Sequence, residues 1–127
     1  MYMSRTYKIT IVEDEIAIRD MYKLKLDALG YDVSTANDGA SALHVLEHVK
    51  PDLILLDIKL PHLPGNEVLK RVRDTDWGQD IKCIVLTNIS KDEIPKDFRF
   101  LKVERYILKV QYTPTQIMEI IQEVLAK

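Results

Sequence analysis

Asp52-Leu53-Ile54-Leu55-Leu56-Asp57 is followed closely by Lys59, Pro61, Pro64 and Gly65. Four consecutive aliphatics between turn residues read as a strand covered on both faces, the habit of a parallel sheet. The strand closes on a carboxylate, Asp57, at the end where an open α/β sheet places its chemistry. Three further apolar runs end in the same manner: Ile9–Val12 on Glu13 and Asp14, Ile81–Leu86 on Thr87, and Tyr106–Leu108 on Lys109.

Between these runs the pattern turns helical. Glu15–Leu29 carries Ile18, Tyr22 and Leu29 along one face and stops at Gly30. Tyr31–Ala36 reads as a strand, and Asp38 caps a helix over Ala40–Val49. Gly65 opens a helix to about Arg73, with Val68, Leu69 and Val72 turned inward. A fourth helix is expected over Lys91–Lys102, where Pro95 fits only near the first turn. Thr113-Pro114-Thr115-Gln116 is a capping box with proline at the first helical position, and Ile117, Ile120, Ile121 and Val124 follow at buried-face spacing. Met118 and Leu125 lie beside that stripe, either widening the buried face or extending an apolar partner surface. Five alternating strands and helices imply an α/β domain with helices on both faces of a parallel sheet.

Composition narrows the function. The 127 residues make one domain, with a core over about residues 7–126. Eighteen basic against 20 acidic residues leave a net charge of -2, so no basic excess points to direct nucleic-acid binding. The single cysteine, Cys83, lies in an apolar run and reads as a buried thiol in a reducing compartment. Met1–Lys8 holds no signal-like apolar stretch, and no run approaches the roughly 20 residues that span a bilayer. The expectation is a cytoplasmic protein with no membrane association.

Right-handed crossovers bring the carboxyl ends of all parallel strands to one edge. Glu13, Asp14, Asp57, Thr87 and Lys109 therefore converge, although scattered along the chain. Clustered carboxylates repel unless a cation neutralises them, and an all-oxygen, partly open site suits Mg²⁺. A metal, a lysine and a hydroxyl around one carboxylate are the parts of a phosphoryl-transfer site, with Asp57, on the central strand, as the nucleophile.

Four stretches carry a resemblance: Ile11-Val12-Glu13-Asp14-Glu15, Leu55-Leu56-Asp57-Ile58-Lys59-Leu60-Pro61-His62-Leu63-Pro64-Gly65, Val85-Leu86-Thr87 and Tyr106-Ile107-Leu108-Lys109. In this order and spacing, over essentially the whole chain, the sequence resembles a receiver domain of the two-component response regulators, of the chemotaxis-regulator kind. The resemblance implies a doubly wound, flavodoxin-like (βα)5 fold with strand order 2-1-3-4-5. It implies that Asp57 accepts a phosphoryl group from a sensor histidine kinase, a phosphotransfer protein or a small donor such as acetyl phosphate. Asp14, Asp57 and the backbone carbonyl of Lys59 would ligate Mg²⁺, with Glu13 reaching it through water. Lys109 would bind the phosphoryl oxygens. Thr87 and Tyr106 would switch, altering the face formed by the fourth helix, the fifth strand and the last helix, where a downstream protein partner binds. Such a domain catalyses only its own phosphotransfer and autodephosphorylation, as a monomer or a phosphorylation-linked homodimer. The chain closes at Lys127, just past the last helix, so a stand-alone regulator and a receiver excised from a larger one both fit.

Three positions depart from the family pattern. Val110 follows Lys109 where the family has proline after a cis bond; a non-proline cis bond costs about 3–4 kcal/mol, so a trans bond is expected. Asn88 stands where a small residue is usual and narrows access to Asp57 or hydrogen-bonds the phosphoryl group. Pro95, with no glycine before the fifth strand, implies an altered fourth helix. Two rival readings are a pseudo-receiver that binds partners without phosphorylation and a small aspartate-nucleophile phosphatase. The intact Asp14, Asp57, Thr87 and Lys109 set argues against the first, and the lack of length for a substrate cap against the second. His44-Val45-Leu46-Glu47-His48 matches an inverted zinc-protease pattern. Leu43, Leu46 and Val49 make the inward stripe of that helix, however, so its histidines face water and no third ligand follows. Lys70-Arg71-Val72-Arg73 likewise reads as a solvated helix face.

Overall fold

A computed structural model describes residues 5–127; Met1–Ser4, part of the stretch read above for a targeting signal, lie outside the described residues. Five strands form one parallel sheet: β1 (Lys8–Val12), β2 (Asp32–Ala36), β3 (Leu53–Leu56), β4 (Lys82–Thr87) and β5 (Arg105–Leu108). Their order is β2-β1-β3-β4-β5, as expected. Four α-helices connect or close them: α1 (Ile16–Ala28), α2 (Gly39–Val49), α3 (Gly65–Arg73) and α4 (Pro114–Leu125).

The apolar runs are continuous because both sheet faces are covered. Leu53 and Leu55 of β3, with Ile84 and Leu86 of β4, pack beneath α1 and α4. The alternate residues Ile54, Leu56, Cys83 and Val85 pack beneath α2 and α3. Met118 and Leu125 join the first of these cores, so they widen the buried face of α4. Asp38 caps α2 by accepting the Ser41 N–H at 2.7 Å, and Thr113 and Gln116 complete the capping box of α4. Leu29 does not join the buried face of α1: it stands past the last helical turn, 47% exposed, and Leu26, one turn beyond Tyr22, fills the core instead.

The fourth helix expected over Lys91–Lys102 is not formed. Two 3-10 turns, Lys91–Glu93 and Lys96–Phe100, stand in its place. Pro95 explains the break: it has no N–H to donate into a helix, and it holds Ile94 extended at φ -67°, ψ 127°. Phe98 and Leu101 nevertheless enter the core beneath α2 and α3. Lys102 turns the chain at φ 55°, the left-handed conformation that glycine ordinarily supplies. Arg73, at the end of α3, fastens this stretch from below: it donates to the carbonyls of Leu101, Gly78 and Ile81 at 2.8, 2.8 and 2.7 Å.

Candidate functional site

Strand register builds the site. Val12 lies beside Leu56, Leu56 beside Val85, and Thr87 beside Leu108. The residues that follow emerge side by side at one edge. The Asp57 N–H donates to the Val12 carbonyl at 3.1 Å, which extends the β1–β3 pairing by one residue and fixes the start of the acidic loop.

The loop after Asp57 is cast against two glycines. A Cβ on Gly65 would lie 2.2 Å from the Asp57 carbonyl oxygen, and one on Gly39 would lie 1.9 Å from the Leu63 carbonyl oxygen. Every residue but glycine would carry such a clash. The close approach lets the Gly65 N–H reach the Ile58 carbonyl at 2.8 Å and the Gly39 N–H reach the Pro61 carbonyl at 3.1 Å. The loop is thereby folded back beside the β3 terminus.

Asp57 is 8% exposed. Its Oδ1 accepts the Ile58 N–H at 2.7 Å, and its Oδ2 accepts from Lys109 Nζ at 3.0 Å. Lys109 also donates to Glu13 Oε1 at 2.5 Å, while Glu13 Oε2 accepts the Glu15 N–H at 3.2 Å. One ammonium thus bridges two buried carboxylates contributed by different strands. Burial pushes the Glu13 carboxyl above its usual range, only partly offset by the hydrogen bond and charge of Lys109. For Lys109, burial pulls the other way, but the bonds and charges of Glu13 and Asp57 prevail and hold its ammonium above the ordinary lysine value. The Lys109–Val110 bond is trans.

Asp14 is exposed, and one carboxylate oxygen each from Glu13, Asp14 and Asp57 lie within 4.8 Å of one another. No other such group of potential ligands occurs among the described residues, and His44 and His48 are exposed on α2. Hard oxygen donors with one open side fit a small divalent cation.

A cleft of about 290 Å³ opens over this cluster, bordered by Asp14, Asp57, Lys59, Thr87 and Lys109. Thr87, buried at the end of β4, accepts the Ile89 N–H on its Oγ1 at 3.2 Å. Tyr106 is not in the cleft. It stands 39% exposed, its ring edge-on to Phe98 at 6.2 Å, beside a neighbouring cavity of about 520 Å³ that Thr87 also lines.

Asn88, singled out from the sequence, borders the cleft, and so do Glu15, Ile89 and Glu93, which were not. Ile89 and Glu15 were within reach of sequence reasoning, being two residues beyond Thr87 and next to Asp14. Glu93 was not: it reaches the cleft from the 3-10 turn Lys91–Glu93, which stands where a regular helix was expected.

The comparisons with known proteins agree with this fold. A family model described as response regulator receiver domain matches residues 9–122. The alkaline phosphatase synthesis transcriptional regulatory protein PhoP of Bacillus subtilis is 44% identical over 86 residues, 68% of this chain but only 34% of that protein. The chain therefore spans about a third of the curated relative it matches. A CheY-like receiver domain protein from Methanospirillum hungatei superposes with a TM-score of 0.87 at 30% identity, covering 96% of this chain and 95% of the other. The chemotaxis response regulator CheY4 of Vibrio cholerae superposes with a TM-score of 0.85 at 28% identity, over 94% and 99% of the two chains. Parallel strand order, sequence match and superposition over nearly the full length coincide, and the chain belongs to the response regulator receiver domain family.

Proposed function

We propose that this receiver domain is a phosphorylation switch in which Asp57 is the phosphoryl acceptor. The observation that carries the reading is the Lys109 ammonium bonded to Asp57 and Glu13 within a cleft that Asp14 and Thr87 also border. An Asp57 oxygen attacks the phosphorus of a phosphohistidine or of acetyl phosphate, and the donor's P–N or P–O bond breaks as the aspartyl-phosphate forms. Lys109, bonded to the Asp57 carboxylate, then shifts to the incoming phosphoryl oxygens. Thr87 exchanges its Ile89 contact for one of those oxygens.

Asp14, Asp57 and the Lys59 backbone carbonyl would hold Mg²⁺, with Glu13 reaching it through water. When bound, the ion supplies positive charge that offsets the phosphoryl oxygens as they enter an acidic site. Tyr106 responds to the movement of Thr87 through the cavity they share, altering the surface of the 91–100 turns, β5 and α4 that meets a downstream protein. The phosphoryl source is a sensor histidine kinase or phosphotransfer protein, and the free, buried Cys83 fits a cytoplasmic setting.

Intact-mass spectrometry after treatment with acetyl phosphate and MgCl₂ tests the reading. Wild type should gain one phosphoryl group and Asp57→Ala none. A wild type that gains none from acetyl phosphate or from a competent kinase would leave a partner-binding module without phosphorylation.

A further inference from the structure

Resting on Asp57 as acceptor, we propose that Glu93 is the general base that hydrolyses the aspartyl-phosphate and so sets how long the switch stays on. Asp57 lies buried at the floor of the cleft, whereas Glu93 is an exposed residue at its border. A phosphoryl group on Asp57 fills the space between, and the water that displaces it must approach in line, from the side opposite the Asp57 oxygen. That side is the open mouth.

The other groups at the mouth suit the task less well. Asp14 belongs to the acidic trio and Glu15 follows it in the same loop, on the side where the cation would be held; the Lys59 side chain has no acceptor and Ile89 is apolar. Asn88 is the remaining polar side chain, and an amide does not take a proton at neutral pH. Glu93 is held in place on one side only. The Ser90 hydroxyl donates to Glu93 Oε1 at 2.9 Å, closing the turn. Oε2 has no hydrogen-bond partner among the described residues, so one oxygen is anchored and the other is open to water.

In the step assigned to Glu93, the water oxygen bonds to phosphorus while the bond from phosphorus to the Asp57 oxygen breaks. The bonding pair returns to the Asp57 carboxylate. Glu93 takes one water proton and releases it to solvent, and inorganic phosphate departs.

The test uses the full chain phosphorylated with acetyl phosphate and MgCl₂, freed of donor, with decay of the adduct followed by intact mass. Glu93→Gln should still form the adduct and lose it about tenfold more slowly, less than the roughly 10²–10⁴-fold of enclosed general bases because Glu93 is exposed. Ser90→Ala should slow decay to a smaller extent. Added formate should speed the decay of Glu93→Ala, and equal ionic strength from KCl should not, a readout that a merely structural role would leave unmoved. Decay of Glu93→Gln within about twofold of wild type, far short of a general base, or a Glu93→Ala variant indifferent to formate, overturns the assignment while leaving Asp57 as acceptor. Failure of wild type to form any adduct overturns both.

Discussion

The two loops that frame the cleft are held by opposite means. The loop after β3 is held by backbone: it turns within reach of Gly39 and Gly65, and main-chain bonds join it to its own start and to α2. The segment after β4 is held by side chains, nearly all from α3. Asn66 donates to Asp97 Oδ2 at 3.0 Å, Lys70 stands 3.6 Å from the same oxygen, Arg73 grips the Leu101 carbonyl, and Phe98 plugs the segment into the core. A loop cast against backbone has one shape, which suits an acceptor that must meet the phosphoryl group in a fixed position. A segment pinned by a few side chains has contacts that can be exchanged without disturbing the first loop.

The comparison breaks first at Gly65. Gly65→Ala places a methyl 2.2 Å from a backbone oxygen that no rotamer change relieves. It should cost about 3 kcal/mol in urea unfolding, at the upper end for overpacking, and slow phosphorylation by moving Asp57. Unchanged stability would mean that the first loop yields as readily as the second.

Pro95 tests the other side. If the proline alone prevents a helix, Pro95→Ala should deepen the helical far-UV circular dichroism signal, with stability moving by under ~1 kcal/mol. A superimposable spectrum would place the cause in the side-chain contacts instead.

The smallest effect concerns Asp38, next to Gly39. The Ser41 backbone N–H, and then its hydroxyl, hold the Asp38 carboxyl below the usual range. A carboxyl with a lowered folded-state pKa contributes stability that is present above its unfolded value and lost as pH falls through the folded one. The Tm of Asp38→Asn should therefore decline less steeply than wild type on acidification through that window. Parallel curves would remove Asp38 from the frame of the first loop.

What was legible in the sequence divides along the same line. β3 and Asp57 were readable because a run of four aliphatics buried on both faces has few other fates, and the Thr113 cap because hydroxyl, proline and glutamine meet a local rule. Convergence of Glu13, Asp57 and Lys109 followed from strand direction alone. The glycine contacts were hidden, since Gly65 reads locally as a helix opening and Gly39 as a turn residue after Asn37 and Asp38, and both meet their partners only in three dimensions. Glu93 was concealed by a helical pattern: Ile94, Phe98 and Leu101 keep the spacing of a buried face even though Pro95 breaks the helix. Arg73 read as one charge on a solvated face, but its guanidinium turns inward to carbonyls from two distant turns. Long-range contacts by long side chains leave no periodic trace.

The central claim is that the chemistry resides on one carboxylate, and locating the modified residue tests it most directly. After acetyl phosphate and MgCl₂ treatment, borohydride reduction converts an aspartyl-phosphate to homoserine, and peptide mass spectrometry reads its position. Homoserine at residue 57 and nowhere else is the predicted result. Homoserine at Asp14 or another aspartate, or phosphoryl groups that survive in Asp57→Ala, would contradict it.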